Sequence, residues 1–411
     1  MANVYVLGGF QTDFATNWSR AGKSLFEIMG AAVLGSLEST DIESGDVDDF
    51  HVGNFTGELF SGQGHLGGLV ASIDPAFAGR PTARHEAACA SGSVAALAAS
   101  ANVECGRAEL SCVIGVEQMK TVGGIEAADH LGAAAWRGRE AEGARFLWPH
   151  MFDLLAAEYD RRYGLDYRHL MEVARTNFEN ARANPNAQSR GWTFTEASFT
   201  EDLEANPPVE GRIRRQDCGQ ITDGAAAVLL ASPAYAKRYA DRRGISLSSI
   251  PLIRGWGHRT APMLFSDKLD AAVDGEHLFP HVRGAIEDAR RGASLASVEQ
   301  IDGAEVHDCF TITEYMLIEH LGLAAPGEAW KAIENGDIKR GGSCPINSSG
   351  GLIGAGHPVG ATGVRMLLDA YKQVTGTAGD YQIDDAEMIQ TVNIGGSATT
   401  TVSFVVGTSP S

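Results

Sequence analysis

Short apolar runs alternate along the chain with stretches of helical spacing. Strands are predicted at 4–7, 51–54, 111–116, 225–231, 388–393 and 399–406. Helices are predicted at 26–37, 312–321 and 364–373, and a buried helix rich in Ala and Ser at 88–103. Because strands and helices alternate in both halves of the chain, the pattern predicts a layered α/β protein.

The pattern changes between residues 120 and 217. Charged helices are predicted at 154–163 and 167–181, and Pro, Asn and Gly interrupt the sequence around them. We therefore predict that residues 120–217 form a region inserted over an α/β core. The domains expected are residues 1–253, which include the insertion, and residues 254–411.

Composition narrows the class of protein. The 411 residues are 44% hydrophobic and 21% charged, as in soluble enzymes, and the net charge of -19 argues against nucleic acid or an anionic membrane as a partner. No apolar run approaches the ~20 residues of a membrane helix. Six cysteines without a Cys-x-x-Cys pair predict reduced thiols and no metal site. Without a signal peptide, a cytoplasmic protein is expected.

Cys89 lies in the segment Ala-Cys-Ala-Ser-Gly-Ser, where the Ala-rich helix is predicted to begin. The unpaired N–H groups at a helix start favour negative charge, so a thiol there is expected to lose its proton more easily. The same N–H groups could face a developing oxyanion. The alternative is a small buried cysteine that opens a core helix.

His357 lies in a glycine-rich loop, residues 354–363, with Pro358 directly after it. The proline restricts the turn and so fixes the direction of the imidazole, which could then take a proton from a nearby thiol. The alternative is a structural histidine that caps the turn. The loop matches neither GxGxxG nor a P-loop.

Two further segments carry candidate groups. His307 and Cys309 alternate after an apolar start, so on a strand both would point to one face. They could form an acid/base pair, a chance core arrangement or half of a metal site, the last being least expected. Asn393 opens a glycine turn, with Gly395 and Gly396, that is either an anion site or a hairpin.

In this order and at these intervals the segments resemble the thiolase superfamily over essentially the whole chain. Residues 86–93 resemble its nucleophile motif, residues 347–363 its histidine loop, and residues 217–227 the segment that closes its loop domain. The resemblance implies an α/β fold of two stacked five-stranded halves, in αβαβα layers, with an inserted loop domain. It also implies a homodimer or homotetramer.

Two departures place the chain near the sterol-carrier-protein-type thiolases. Where biosynthetic and degradative thiolases have Asn-Glu-Ala-Phe, this chain has His307-Asp308-Cys309-Phe310. Where they have a second cysteine in the last glycine turn, it has Asn393. Both departures occur together in that subgroup, where the cysteine of His-Asp-Cys-Phe takes over the acid/base role.

The resemblance implies a mechanism. His357 draws a proton from Cys89, which attacks an acyl-CoA and carries the acyl group as a thioester. His357, with His307, stabilises one oxyanion, and the backbone N–H groups of Cys89 and Gly395 stabilise the other. Cys309 moves the proton at the α-carbon. CoA thioesters are expected as substrates, and no bound cofactor is expected.

Substrate contacts are expected from the inserted region. His150 and Met151 resemble the substrate-facing stretch of the family, and Arg212, Arg214 and Arg215 could meet the CoA phosphates or form a solvated turn. Two alternatives remain open: a decarboxylating ketoacyl-synthase-like enzyme, and a scaffold subunit of an acyltransferase or aldolase complex. A small OB-fold or zinc-ribbon protein is a possible partner.

Overall fold

The structure, a computed structural model, describes residues 2–273 and 275–408, which contain eleven strands. These are β1 (Tyr5–Gln11), β2 (Asp49–Gly53), β3 (Thr82–His85), β4 (Leu110–Glu117), β5 (Pro208–Glu210), β6 (Ile213–Arg214), β7 (Gly224–Ala231), β8 (Leu252–Thr260), β9 (Gly303–Val306), β10 (Met388–Gly395) and β11 (Thr400–Gly407). Each strand predicted from the apolar runs lies within or overlaps one of them.

The same residues contain fourteen helices. These are α1 (Leu25–Thr40), α2 (Gly57–Ser61), α3 (Leu66–Val70), α4 (Ser91–Glu104), α5 (Gly124–Leu131), α6 (Leu147–Tyr163), α7 (Tyr167–Ala183), α8 (Pro233–Arg243), α9 (Phe265–Ala271), α10 (Pro280–Gly292), α11 (Thr311–Leu321), α12 (Ala329–Asn335), α13 (Gly351–Ala355) and α14 (Thr362–Val374). The predicted helices are confirmed, several with longer ends. None of the helices in the described part of the chain is long and apolar enough to cross a membrane.

Nine strands follow one another in the order β3-β2-β4-β7-β1-β8-β11-β10-β9. β1 and β8 pair at a single position, Tyr5 with Leu252, so the order divides there into five strands and four. At the far edge Ile346 adds a parallel bridge to Ala304 of β9. The two predicted halves are therefore present, and the fifth position of the second half is this bridge.

The halves stack in five layers. α4 packs on β2 and β4, α14 packs on β10 and β11, and the two helices contact each other between the sheets. Two adjacent residues of β7 show the layering, because they point to opposite faces of the sheet. Val228 belongs to the apolar cluster around α4 and α14, while Leu229 belongs to the cluster beneath α1 and α8. α10 and α11 cover the outer face of the second half. The αβαβα prediction is confirmed.

The middle layer is packed as closely as the Ala-rich sequence predicts. Ala95, Ala96 and Ala99 of α4 are fully buried. A Cβ added to Gly363, in the first turn of α14, would lie 2.2 Å from the Ser93 hydroxyl oxygen, so only glycine fits there. This contact brings the start of α4 against the start of α14, and with them the two segments that hold Cys89 and His357.

The inserted region contains α5, α6 and α7 and the small β5–β6 sheet. α6 and α7 share an apolar cluster with α10 and α11, so the insertion packs against the second half of the chain. The predicted domain boundary, between residues 253 and 254, falls inside β8. Because β8 pairs with β11 along its length, the whole strand belongs to the sheet of the second half.

Candidate active site

Cys89 lies in a tight loop just before a helix. α4 begins at Ser91 rather than at residue 88, and Ala88 adopts a left-handed conformation with φ of 51°. Glu86 Oε1 accepts a hydrogen bond from the Ala88 N–H at 2.6 Å, and Ser91 Oγ accepts one from the Ala87 N–H at 2.9 Å. These bonds fix the loop, so the position of the thiol is determined by its immediate neighbours.

His357 has a defined tautomer. Its Nδ1 lies 2.6 Å from the Thr362 hydroxyl oxygen, and that hydroxyl donates its own proton to the Pro358 carbonyl at 3.2 Å. The hydroxyl therefore accepts from Nδ1–H, which leaves the lone pair on Nε2. His357 Nε2 is buried and has no hydrogen-bond partner among the described residues. A base with a free lone pair is the arrangement that proton abstraction requires.

His307 is oriented in the same way by a residue far along the chain. Its Nδ1 lies 3.0 Å from Asn393 Oδ1, and Asn393 Nδ2 donates to Ser93 Oγ at 3.0 Å. Because the amide oxygen only accepts, His307 carries its proton on Nδ1 and its lone pair on Nε2. Asn393, which stands where biosynthetic and degradative thiolases have a second cysteine, thus sets the tautomer of His307.

The fold brings these three groups together. The Cys89 Sγ and one ring nitrogen each of His307 and His357 all lie within 4.8 Å of one another. The two imidazole rings meet edge to face, with centroids 5.3 Å apart and planes at 89°. We call these three residues, with Cys309 of the adjoining cavity wall, the catalytic cluster, after the role that the sequence predicts for them.

Burial keeps the cluster uncharged. It raises the pKa of Cys89 to about 12, against the opposing effect of the Gly396 backbone N–H. It lowers the pKa of His307 to about 4 and holds the pKa of His357 well below its usual range. Desolvation therefore outweighs the effect of the helix start, which was expected to make the Cys89 proton easier to lose. A base must take the proton.

Cys309 lies in the connection between β9 and α11. β9 ends at Val306, so His307 and Cys309 do not lie on a strand, and that expectation is corrected. The Gly219 N–H donates to the Cys309 carbonyl at 2.9 Å and fixes this backbone against the residues that follow the insertion. Burial, with the nearby Cys89 next, raises the pKa of the Cys309 thiol well above its usual value.

Buried charged groups hold the two halves of the site in register. Asp308 accepts hydrogen bonds from the Leu352 and Ile353 N–H groups at 2.6 and 3.1 Å, which ties the His307–Cys309 segment to the loop of His357. Burial raises the pKa of Asp308 to about 7. Behind it, Arg365 Nη1 lies 2.7 Å from Glu305 Oε2. Sequence reasoning missed these contacts.

A cavity of about 330 Å³ opens onto the cluster. Its volume is at the lower end of the usual range for small-molecule sites. Cys89, Cys309 and His357 line it, and the rest of its wall is mostly apolar and aromatic. The other lining residues are Phe55, Ala128, Leu131, Ala134, Phe146, Trp148, Pro149, Phe152, Val209, Arg215, Cys218, Gly219, Gln220, Ile221, Phe310, Val359 and Gly396.

Two of the five residues expected to meet substrate, His150 and Met151, lie on α6 and are absent from this wall, while their neighbours Pro149 and Phe152 line it. Met151 is buried in the apolar core beside the cavity. Their roles in substrate binding stay predictions.

The three arginines separate. Arg212 pairs with Asp160 at 3.2 Å on the surface, and Arg214 donates to the Asn206 carbonyl at 3.0 Å. Arg215 is exposed and lies in the cavity wall. Of the three arginines, Arg215 is the one placed to meet a ligand that enters the cavity.

The glycine turn lies beside the thiol. A Cβ on Gly395 would lie 2.2 Å from the Ala87 carbonyl oxygen, so this strand end approaches the Cys89 loop as closely as backbones can. Gly396, which the sequence analysis named only as part of this turn and gave no separate role, lines the cavity and directs its N–H at Cys89. The double glycine was the only signal for it. The oxyanion role of the Gly395 N–H stays a prediction.

The chain shares its family with known enzymes. The family description "Thiolase, N-terminal domain" matches residues 4–191, and "Thiolase C-terminal domain-like" matches residues 272–408. An acetyl-CoA acetyltransferase of Methanothermobacter thermautotrophicus is 32% identical over 97% of this chain and 98% of that protein. The chain belongs to the thiolase family. Human sterol carrier protein 2 is 27% identical over 96% of this chain and 70% of its own length.

Solved structures give this thiolase the same fold. An Ltp2-ChsH2(DUF35) aldolase superposes with a TM-score of 0.76 at 20% identity, covering 99% of this chain and 98% of that one. Human mitochondrial 3-ketoacyl-CoA thiolase superposes with a TM-score of 0.70 at 16% identity, covering 100% and 99%. At these identities the likeness establishes the fold, and the sequence relatives support a thiolase-type acyltransferase.

Proposed function

We propose that this thiolase cleaves or forms 3-ketoacyl-CoA through an acyl group carried on Cys89. The observation that carries the proposal is the meeting of Cys89, His307 and His357 within 4.8 Å at the floor of a cavity that Cys309 also lines. A nucleophile, an oriented base and a second thiol in one desolvated site are the groups that a two-step acyl transfer needs.

In the first step His357 Nε2 takes the proton of Cys89, and the thiolate attacks the 3-keto carbon. His357, now protonated on Nε2, donates to the oxyanion. His307 in its present tautomer accepts at Nε2, so it acts through a water that it holds, whose other hydrogen faces the same oxygen. Oriented donors of this kind typically contribute ~10²–10³ in rate each.

Cleavage of the bond between the α- and β-carbons then leaves the shortened acyl group on Cys89 and an acetyl-CoA enolate. Cys309 gives its proton to the α-carbon of that enolate, and acetyl-CoA departs. The Cys309 thiolate then takes the thiol proton of free CoA, whose sulfur attacks the acyl-Cys89 thioester. Acyl-CoA departs, and the protonated His357 returns its proton to the Cys89 sulfur. Condensation runs through the same steps in reverse, with Cys309 removing the α-proton.

The CoA portion enters from the side of Arg215. This guanidinium is the exposed cation of the cavity wall, and it lies next to Gln220 in a second surface depression walled by Trp192 and Phe194. A local positive group is needed because the chain as a whole is acidic. One compared structure is that of human mitochondrial 3-ketoacyl-CoA thiolase in complex with CoA, with a TM-score of 0.69.

Assembly forms part of the proposal. We infer a homodimer or homotetramer that acts in the cytoplasm, in the metabolism of acyl lipids. A small OB-fold or zinc-ribbon partner protein is also proposed, since the compared Ltp2-ChsH2(DUF35) aldolase carries a second component, DUF35, in its name. Because that protein is named an aldolase, a subunit that needs its partner for activity is the second candidate.

Intact-protein mass spectrometry after incubation with a panel of acyl-CoAs tests the proposal. Wild type should gain one acyl mass, Cys89→Ala none, and Cys218→Ala, which alters another thiol of the same cavity, should behave as wild type. An adduct on Cys89→Ala at the wild-type level would contradict it. Condensation of malonyl thioesters without cleavage of 3-ketoacyl-CoA would instead favour the synthase alternative. If neither wild type nor any variant forms an adduct, the result favours a subunit that needs its partner for activity.

A further inference from the structure

The catalytic cluster also has the composition of a metal site. A thiol and two imidazoles offer ligand atoms within 4.8 Å of one another, and they come from three segments far apart in the sequence. Such a set has no spacing motif, which is why the sequence predicted no metal. One sulfur and two nitrogens suit zinc, whereas magnesium and calcium prefer oxygen ligands.

The hydrogen bonds of the two histidines favour this use. Metal-binding imidazoles usually donate their other N–H to a neighbouring acceptor, which fixes the ring and the tautomer. His307 does so to Asn393 Oδ1 and His357 to Thr362 Oγ1. Both Nε2 atoms therefore present lone pairs, and that of His357 is buried with no partner among the described residues.

The distances between the three ligand atoms are close to those of a tetrahedral zinc site. Zn–N bonds of about 2.0–2.1 Å and a Zn–S bond of about 2.3 Å place tetrahedral ligands roughly 3.4–3.6 Å apart. The present separations, at most 4.8 Å, exceed that by about an ångström. Small side-chain rotations close such a gap, and the fourth position would face the cavity, as in zinc sites that keep one position open.

We propose that Cys89 Sγ, His307 Nε2 and His357 Nε2 bind one Zn²⁺ ion, which reversibly blocks acyl transfer. Binding forms one Zn–S and two Zn–N bonds, and the Cys89 thiol proton leaves to solvent with no change in oxidation state. Because the metal occupies the sulfur and the lone pair of the base, zinc and acyl groups compete for the same atoms.

Zinc binding to the reduced, full-length protein is measured by competition with a chromophoric chelator under anaerobic conditions. We expect one ion per wild-type chain, none at the cluster of Cys89→Ala, and unchanged binding by Cys105→Ala, which removes an exposed thiol. Asn393→Ala should bind about 10–100-fold more weakly, the usual effect of losing a group that orients a ligand. Circular dichroism checks that each variant is folded.

A second measurement needs no variant. Wild type alkylated at Cys89, located by peptide mass spectrometry, should lose the zinc site. Equal zinc binding by alkylated and free protein, or by Cys89→Ala and wild type, would overturn the inference, as would no binding by wild type. The readout is binding, so it is separate from the proposed function. A chain that binds zinc but forms no acyl adduct refutes the acyl transfer and leaves the metal site standing.

Discussion

The catalytic cluster and the wall above it are built in different ways. Each cluster residue lies in a turn or connection, and both imidazoles are held by hydrogen bonds, His357 by Thr362 of its own turn and His307 by Asn393 of β10. The inserted wall, by which we mean the cavity-lining residues between 120 and 217, is mostly apolar, and five of its nine residues lie on α5 and α6. The nine residues are Ala128, Leu131, Ala134, Phe146, Trp148, Pro149, Phe152, Val209 and Arg215.

This difference separates chemistry from binding. A cluster residue works through a single atom at a fixed place, so its loss should affect the chemical steps. A wall residue contributes area or charge among many neighbours, so its loss should affect the affinity for substrate and leave kcat nearly unchanged. Substitutions in each region test this contrast.

The largest effect among the tests below is expected for Cys309→Ala. If Cys309 moves the α-carbon proton, its loss should reduce thiolysis and condensation by about 10²–10⁴, the usual contribution of an acid/base group. Acylation of Cys89 should persist, because that half-reaction needs only Cys89, His357 and the oxyanion donors. Steady-state thiolysis and the intact-mass adduct measure the two separately.

The matched control is Cys218→Ala, since Cys218 lines the same cavity and lies opposite Phe310 in an isolated bridge. It should keep near-normal thiolysis. Exchange of solvent deuterium into the α-carbon of an acyl-CoA should fall with Cys309→Ala and not with Cys218→Ala. Near-normal thiolysis by Cys309→Ala would show that this thiol only packs the site.

A smaller but still large effect is expected for His357→Ala. Because burial raises the pKa of Cys89 to about 12, the thiolate is scarce near neutral pH without a base. Alkylation by iodoacetamide should therefore be slower by about 10² in this variant, and acylation with it. The rate should climb as pH rises toward 12, since a raised thiol pKa is overcome only by alkaline pH. Rates equal to wild type across pH 6–8 would assign activation to the loop alone.

Thr362→Val tests the tautomer of His357. The change keeps the shape of the side chain and removes the hydroxyl that accepts from Nδ1–H. Loss of a net hydrogen bond of about 0.5–1.5 kcal/mol should slow acylation by about 2- to 12-fold. Thr362→Ser keeps the hydroxyl and should restore most of the rate. Equal rates for the Val and Ser variants would show that another contact orients the ring.

The sequence predicted six of the eleven strands and six of the fourteen helices of the described residues, and the motif residues, because these depend on local periodicity and on turns. It could not predict the contact of Asn393 with His307, which joins residues 86 positions apart. Nor could it show which of Met151 and Phe152 faces the cavity. Adjacent helix residues differ by about 100° around the axis, and both are apolar, so the rotation of α6 is set only by packing.

The smallest effect is expected in the inserted wall. Arg215→Ala removes the exposed guanidinium from the cavity wall, and Arg212→Ala removes its near neighbour, which instead pairs with Asp153 and Asp160 on the surface. An exposed charge contact is typically worth up to about 1 kcal/mol, so Arg215→Ala should raise the KM for acyl-CoA by about 2- to 5-fold at unchanged kcat. Arg212→Ala should leave both constants near wild type.

A truncated substrate locates the effect of Arg215. An acyl thioester of N-acetylcysteamine keeps the reacting atoms and lacks the CoA nucleotide, so Arg215→Ala should leave its KM unchanged. High salt should weaken the wild type toward the variant for acyl-CoA alone, because exposed charge contacts are screened. An equal rise in KM for both substrates would mean that Arg215 supports the shape of the cavity and does not bind the nucleotide. A fall in kcat would place it with the catalytic cluster and break the contrast between the two regions.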